Sequence, residues 1–329
     1  MELPAELRNA VNQEVTGRSA KDLAKVVEGL SARYRSSLQE PAHSRLVQTL
    51  DDAVAYAAFR LPATYGAVYG ALSCVKAQLP RFHPRSLLDV GAGPGTAMWA
   101  ALHPSLWQDC LAEVALLERE EAMIGLGKRL AAHSSLAAIR EAQWVAADIT
   151  EKWEVPSHEL VVAAYVLGEL PSEAREGFIH QLWDKTQGAL VIIEPGTPAG
   201  FARILKAREV LLKAAGNLVA PCPHPGPCPM GSDDWCHFSQ RVPRSRLHRQ
   251  VKAAELGYED EKFSFTAFSR QPGEAVQGRV IRHPQIRKGH VRLKVCTAGG
   301  LAEWVVSRKD GDLYRAARNL EWGSPVNLS

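Results

Sequence analysis

Apolar positions recur at three- and four-residue steps early in the chain: Leu23, Val26, Val27 and Leu30, then Leu46, Leu50, Val54 and Ala57. Such spacing lines one face of a helix. Before Pro80 only Pro4, Pro41 and Pro62 punctuate the stretch, so residues 1–80 are predicted to form a helical region with its mixed acids and bases on solvated faces. From Ser86 the period changes. Short aliphatic runs at 87–90, 114–118, 144–148, 160–164 and 190–194 alternate with helical stretches at 96–102, 122–133 and 172–186. Apolar strands separated by helices predict βαβ units, with five parallel strands in a sheet covered on both faces. The segment 217–244 breaks this rhythm, because Pro221, Pro223, Pro225, Pro227 and Pro229 remove backbone donors and fix φ. Neither helix nor strand is expected there. Beyond it, 262–270, 276–281, 291–296 and 302–307 read as strands joined by Pro- and Gly-containing turns.

The organisation that follows is a helical region at 1–80, an α/β core at 81–270 carrying a Cys-rich loop at 217–244, and a β extension at 271–329. Composition agrees with a globular chain: 46% hydrophobic and 23% charged residues among 329 exclude collagenous, coiled-coil and wholly disordered classes. No apolar run approaches the roughly 20 residues of a membrane span. The N-terminus carries early acids (Glu2, Glu6) and no secretion- or transit-type pattern, so a cytoplasmic protein is expected. A net charge of +3 hides an asymmetry. Residues 1–200 hold 18 Lys and Arg against 24 Asp and Glu, whereas 201–329 hold 21 against 12. The C-terminal part is therefore the one suited to a polyanion.

Asp89-Val90-Gly91-Ala92-Gly93-Pro94-Gly95-Thr96 falls where the first strand passes into a helix, and glycines there let a ligand approach backbone closely. A dinucleotide fingerprint would place its third glycine one residue later, and Pro94 intervenes, which disfavours a pyrophosphate cradle. The form instead resembles motif I of class I S-adenosylmethionine-dependent methyltransferases. Glu118, about 20 residues on, can accept ribose hydroxyls, and Asp148 ends the third strand, where that family places an adenine-side contact. Asp89, Gly91, Gly93, Gly95, Thr96, Glu118 and Asp148 are thus the expected cofactor-binding set. After the fourth strand, Tyr165 to Pro171 contains neither a base-orienting Pro-Pro-Tyr motif nor a nucleophilic cysteine. Glu169 and Glu194 read more readily as structural carboxylates, and no catalytic residue is assigned.

Of the six cysteines, Cys74 and Cys110 stand alone and read as small buried hydrophobes. Cys222, Cys228 and Cys236 cluster in the Pro-rich segment, with Cys296 on a later strand. Their spacing is not the paired C-x2-C of a zinc ribbon, while four thiolates are the complement of a [4Fe–4S] cluster. The softness of sulfur admits either iron–sulfur or zinc, and His224 and His237 are alternative ligands. A radical enzyme, which leaves one iron open among three close cysteines, is disfavoured by the fourth cysteine and the spacing.

Cys222 to Cys236 with Trp235, His237 and Phe238, Glu194-Pro195-Gly196-Thr197, Tyr165 to Leu170, Arg279 to Pro284, and Lys288-Gly289-His290 through Cys296 together resemble a known group. It is the methyltransferase-like family of mitochondrial small-ribosomal-subunit assembly factors and their bacterial counterparts. The similarity spans nearly all of the chain after about Tyr56. It implies a class I methyltransferase (Rossmann-like) fold that binds S-adenosylmethionine and a [4Fe–4S] cluster on Cys222, Cys228, Cys236 and Cys296. It also implies association with small-subunit rRNA. A monomer when free and no membrane partner are expected. An active rRNA methyltransferase with a structural zinc or iron–sulfur site is the alternative.

Arg279, Arg282, Arg287, Lys288, Arg292 and Lys294 crowd neighbouring strands with no acid between Arg279 and Cys296. Such a surface follows a phosphate backbone without reading sequence, and Arg282, Arg287, Lys288 and Arg292 are the expected RNA contacts. Arg241, Arg244, Arg246 and Arg249 would be presented by the cysteine loop.

Overall fold

The computed structural model describes residues 1–37, 47–244 and 256–327. Leu46, Pro41, Arg246 and Arg249 lie outside them. Helices α1 (Ala5–Val15), α2 (Ala20–Ser37), α3 (Leu50–Phe59) and α4 (Leu61–Gln78) precede the sheet. Thr49 starts α3 with a capping box in which its hydroxyl accepts from the Asp52 amide and Asp52 accepts from the Thr49 amide. Alanine-rich α3 and α4 are more than a solvated cap: Ala53, Val54, Leu61, Val68 and Leu72 are fully buried against the sheet.

The parallel part of the sheet comprises β1 (Ser86–Val90), β2 (Glu113–Glu118), β3 (Gln143–Ala146), β4 (His158–Ala164) and β5 (Thr186–Pro195). With β6 (Asn217–Ala220), β7 (Phe238–Pro243) and β8 (Tyr258–Ser269), its order is β3-β2-β1-β4-β5-β8-β6, and β7 also pairs with β8. Strands β1 to β5 are parallel and β8 runs antiparallel to β5. Between the strands run α5 (Thr96–Ala101), α6 (Glu121–Ala131), α7 (Ala137–Arg140), α8 (Arg175–Asp184) and, after β5, α9 (Pro198–Lys213). Alternation along the strands builds two cores. Leu87, Leu116, Val162 and Val191 face the N-terminal helices, while Leu88, Leu117, Val161 and Leu190 face α8 and α9. The expectation for 217–244 is corrected at both ends. Leu218 to Ala220 precede the first proline, and Phe238 and Val242 alternate inward, so short strands form on either side of the Pro-rich stretch. Helix α9 was also not predicted; Thr197 caps it by accepting from the Gly200 amide, with Pro198 in its first turn.

A second, antiparallel sheet holds β9 (Gly278–Val280), β10 (Gln285–Arg287), β11 (His290–Thr297), β12 (Gly300–Ser307) and β13 (Pro325–Val326). Val280, Val291, Leu293, Val295 and Val306 form its small core.

Candidate functional site

Chain order in the main sheet reverses between β1 and β4, and open α/β sheets bind ligands at such a point, beyond the carboxyl ends of the strands. The glycine loop lies there. Gly91, Gly93 and Gly95 all take left-handed backbone (φ 71°, 56° and 85°). A Cβ on Gly91 would stand 2.6 Å from Val166 Cγ2, so that glycine is needed for packing. Gly93 faces open space, which leaves its backbone accessible to a ligand. The Gly91 and Ala92 amides both donate to the Leu117 carbonyl, tying the loop to β2. Glu118 then accepts from the amides of Gly93, Arg119 and Glu120, each at 2.8 Å. Burial raises its carboxyl and these amides oppose the rise.

Asp89 is buried beneath the loop, with Oδ2 lacking a partner, and burial pushes its carboxyl up to about 7 against the amides of Met98 and Ala97. Thr96 Oγ1 is likewise buried and unpartnered. These orphaned oxygens and the open cradle over Gly93 fit a small polar ligand rich in hydroxyl and amine donors. Asp148 accepts from the Thr150 amide and hydroxyl and pairs with Arg119 at 3.2 Å. Partial burial pushes it up, but these donors prevail and the carboxyl is lowered.

On the next strand ends, Tyr165 holds φ 63°, rare for a bulky residue, and its hydroxyl donates to Glu261 at 2.9 Å. Arg60 grips the same carboxylate at 2.7 and 3.1 Å and lies 5.3 Å from the Tyr165 ring. Glu194 accepts from Arg203 at 2.6 Å and from the Leu167 amide at 2.9 Å, the structural role expected of it. Glu169 is exposed on the turn after β4, and the protein packed around it and then the charge of Glu118 raise its carboxyl. Arg60 and Glu261 were missed because they sit 201 residues apart, with no local motif to join them.

The four clustered cysteines come together. Cys222, Cys228, Cys236 and Cys296 line one cavity between α9, β8 and the second sheet. Burial pushes Cys236 well up, and Cys222, Cys228 and Cys296 push it further, which places all four within reach of one another's charge. Burial and the neighbouring thiols push Cys296 up to about 12. Among the described residues no three His, Cys, Asp or Glu side chains are grouped to hold a single metal ion. His224 Nε2 approaches Cys296 Sγ at 3.9 Å, whereas His237 stacks on Trp235 and meets Trp322 edge-on.

The basic set divides. Arg287, Lys288, Arg292 and Lys294 are exposed on the second sheet, where Arg282, His283, Arg292 and Lys294 line a shallow cleft. Arg282 pairs with Asp234 of the cysteine loop, and Arg292 stands 3.4 Å from Glu303. Arg279 is corrected: it is 1% exposed, its guanidinium donating to the Pro221 and Gly323 carbonyls, because β9 turns it inward onto the cysteine cavity. Arg241 and Arg244 lie on or just after β7 and pair with Asp260 and Glu259 across the strand boundary on β8.

Sheet order, glycine loop and C-terminal extension define a class I methyltransferase-like α/β protein with N-terminal helices and an added antiparallel sheet. The family model described as mitochondrial small ribosomal subunit Rsm22 matches residues 50–327, and the chain belongs to that family. The ribosome assembly protein METTL17, mitochondrial, of Homo sapiens is 32% identical over 97% of this chain and 73% of its own length. The ribosome assembly protein RSM22, mitochondrial, of Saccharomyces cerevisiae is 22% identical over 98% of this chain and 74% of its own. Among solved structures, magnesium protoporphyrin IX methyltransferase from Synechocystis PCC 6803 with bound SAM aligns over 78% of this chain and all of that one. Identity there is 13% and the TM-score 0.42, so the fold assignment rests on this chain's own sheet. The relatives correct the cytoplasmic expectation: those matched over nearly the full chain are mitochondrial proteins. No helix among the described residues is long and apolar enough to cross a membrane.

Proposed function

We propose that this protein is an assembly factor of the small ribosomal subunit that binds S-adenosylmethionine, holds an iron–sulfur cluster and touches rRNA through its C-terminal sheet. Membership of the Rsm22 family over residues 50–327 carries the reading. Three local features support it. Glu118, Gly93 and the orphaned oxygens of Asp89 and Thr96 would hold S-adenosylmethionine, which when bound supplies an electrophilic methyl group. Cys222, Cys228, Cys236 and Cys296 supply four soft donors around one cavity, the number of thiolates that a [4Fe–4S] cluster takes. Exposed Arg287, Lys288 and Arg292 offer phosphate contacts.

Methyl transfer is not required by this arrangement. Tyr165 is engaged by Glu261 and Glu194 by Arg203, so two of the polar groups at the strand ends are held in place as structural partners. Iron and sulfide analysis of protein purified without oxygen, together with co-sedimentation on small subunits, tests the reading. About four irons and four sulfides per chain, with salt-sensitive association, are expected. One zinc per chain, or no association, overturns it. Tritiated methyl transfer onto small-subunit rRNA would instead establish the active-methyltransferase alternative.

A further inference from the structure

The cysteine cavity contains two cations with no anion to answer them. Arg208, on α9, and Arg279, on β9, are 5% and 1% exposed and both line the cavity. Neither has a carboxylate partner among the described residues. Their donors meet backbone carbonyls instead: Arg208 reaches His224 and Gly226 at 2.9 and 2.6 Å, and Arg279 reaches Pro221 and Gly323 at 2.8 and 3.0 Å. Donor capacity remains on each: Arg208 Nε and Arg279 Nη2 are buried without a hydrogen-bond partner, and the Arg208 guanidinium lies beside the Cys222 thiol.

A guanidinium does not shed its proton, and a buried charge without a counter-charge costs several kcal/mol. Carbonyl dipoles offset part of that cost, but among the described residues no carboxylate pairs with either guanidinium to offset the rest. The four thiols line the same cavity, and they become thiolates on binding a metal. Burial pushes Cys222 and Cys296 up, and both guanidiniums pull them back. Four thiolates around a doubly positive iron–sulfur core leave two negative charges, equal to the two positive ones fixed beside them.

We infer that Arg208 and Arg279 are positioning residues of the cysteine site, holding the loop that carries Cys222 while their fixed charges offset that of the metal–thiolate group. The inference rests on the iron–sulfur reading above. The carbonyls they bind bracket Cys222, Pro221 before it and His224 and Gly226 after it, so loop geometry and charge balance are served by the same side chains. One guanidinium comes from the methyltransferase-like sheet's helix and the other from the second sheet, so a loaded site would also join the two.

The test uses the full chain, reconstituted with iron and sulfide without oxygen, as wild type and as Arg208→Gln, Arg208→Lys, Arg279→Gln and Arg279→Lys. Iron content is measured, and the one-electron midpoint is read by titration with dithionite. Removing a positive charge disfavours the electron-rich state, so each Gln variant should shift its midpoint negative by at least tenfold in the reduction equilibrium, about 59 mV. Each Lys variant, which keeps the charge, should stay within threefold of wild type. Gln variants with an unchanged midpoint, or Lys variants shifted as far as Gln, overturn the inference. Where a Gln variant holds no iron, its Lys counterpart decides: a wild-type midpoint supports the charge role, and loss of iron there as well overturns it. A wild type that takes up no iron refutes the underlying iron–sulfur reading and the inference with it.

Discussion

Two glycines of one loop, Gly91 and Gly93, separate folding from ligand binding. Both Gly91 and Gly93 hold positive φ, so alanine at either costs about 1–2 kcal/mol in backbone strain. Gly91→Ala adds a collision, because its Cβ would lie 2.6 Å from Cγ2 of the buried, β-branched Val166. Overpacking of that kind costs about 1–3 kcal/mol more, for a total of about 2–5. Gly93→Ala meets nothing within 4 Å and carries only the backbone cost. Thermal unfolding with and without S-adenosylmethionine reads both effects. For wild type, ligand at 100 times Kd should add about 2.7 kcal/mol. Gly93→Ala should unfold only slightly earlier than wild type but lose most of that ligand-dependent gain, since its methyl fills the cradle. Gly91→Ala should be the less stable of the two without ligand. A Gly93→Ala protein that keeps the full ligand-dependent gain would refute the assignment of this loop as the cofactor cradle.

Asp89 predicts a pH effect. Its carboxyl is raised from 3.8 to about 7, so the folded state holds a proton that the unfolded chain has released between those values. Stability therefore falls as pH rises through that window, by up to about 4 kcal/mol above pH 7. Asp89→Asn removes this term, and urea unfolding without ligand should show the variant gaining on wild type at pH 8 relative to pH 5; a pH-independent difference counts against it. Cys228→Ser should lower iron content and thermal stability together, because metal ligation contributes to folding, while Cys110→Ser leaves iron unchanged; normal stability of Cys228→Ser argues against a structural cluster. Replacing Arg287, Lys288 and Arg292 by Glu should abolish small-subunit association with the circular dichroism spectrum intact. Replacing them by Ala should reduce the salt slope of RNA binding by about 2–3, and an unchanged slope removes the second sheet from the interface.

The parallel strands were legible because strands buried on both faces are near-continuous aliphatic runs, and each of the five runs overlaps a strand of the sheet. Helix α9 was not, although Thr197-Pro198 is a good start signal, because its apolar positions follow closely on β5 and precede the proline segment. Strands β6 and β7 were hidden by the same prolines, whose effect stops at Pro221 on one side and Pro229 on the other. A breaker acts on its own residue and the one before it, and reading it across 28 residues overextended it.

The basic residues show where pattern reasoning reaches its limit. Arg279 and Arg282 are three apart, both on or beside one strand, and both were counted in one basic surface, with Arg282 among its expected RNA contacts. Strand alternation cannot separate them until the register is known. The pairing of Cys296 with Arg279 supplies that register, and it turns Arg279 inward beside the thiols, whereas Arg282 leaves β9 and meets Asp234. Arg208 was invisible for a related reason: on a helix rich in Lys and Arg, one buried arginine looks like any other until its face is seen to be covered. The cysteines were found by type and spacing alone, because sulfur chemistry is rare enough to stand out. The cations that complete their surroundings are common residues, and only burial without a counter-charge distinguishes them.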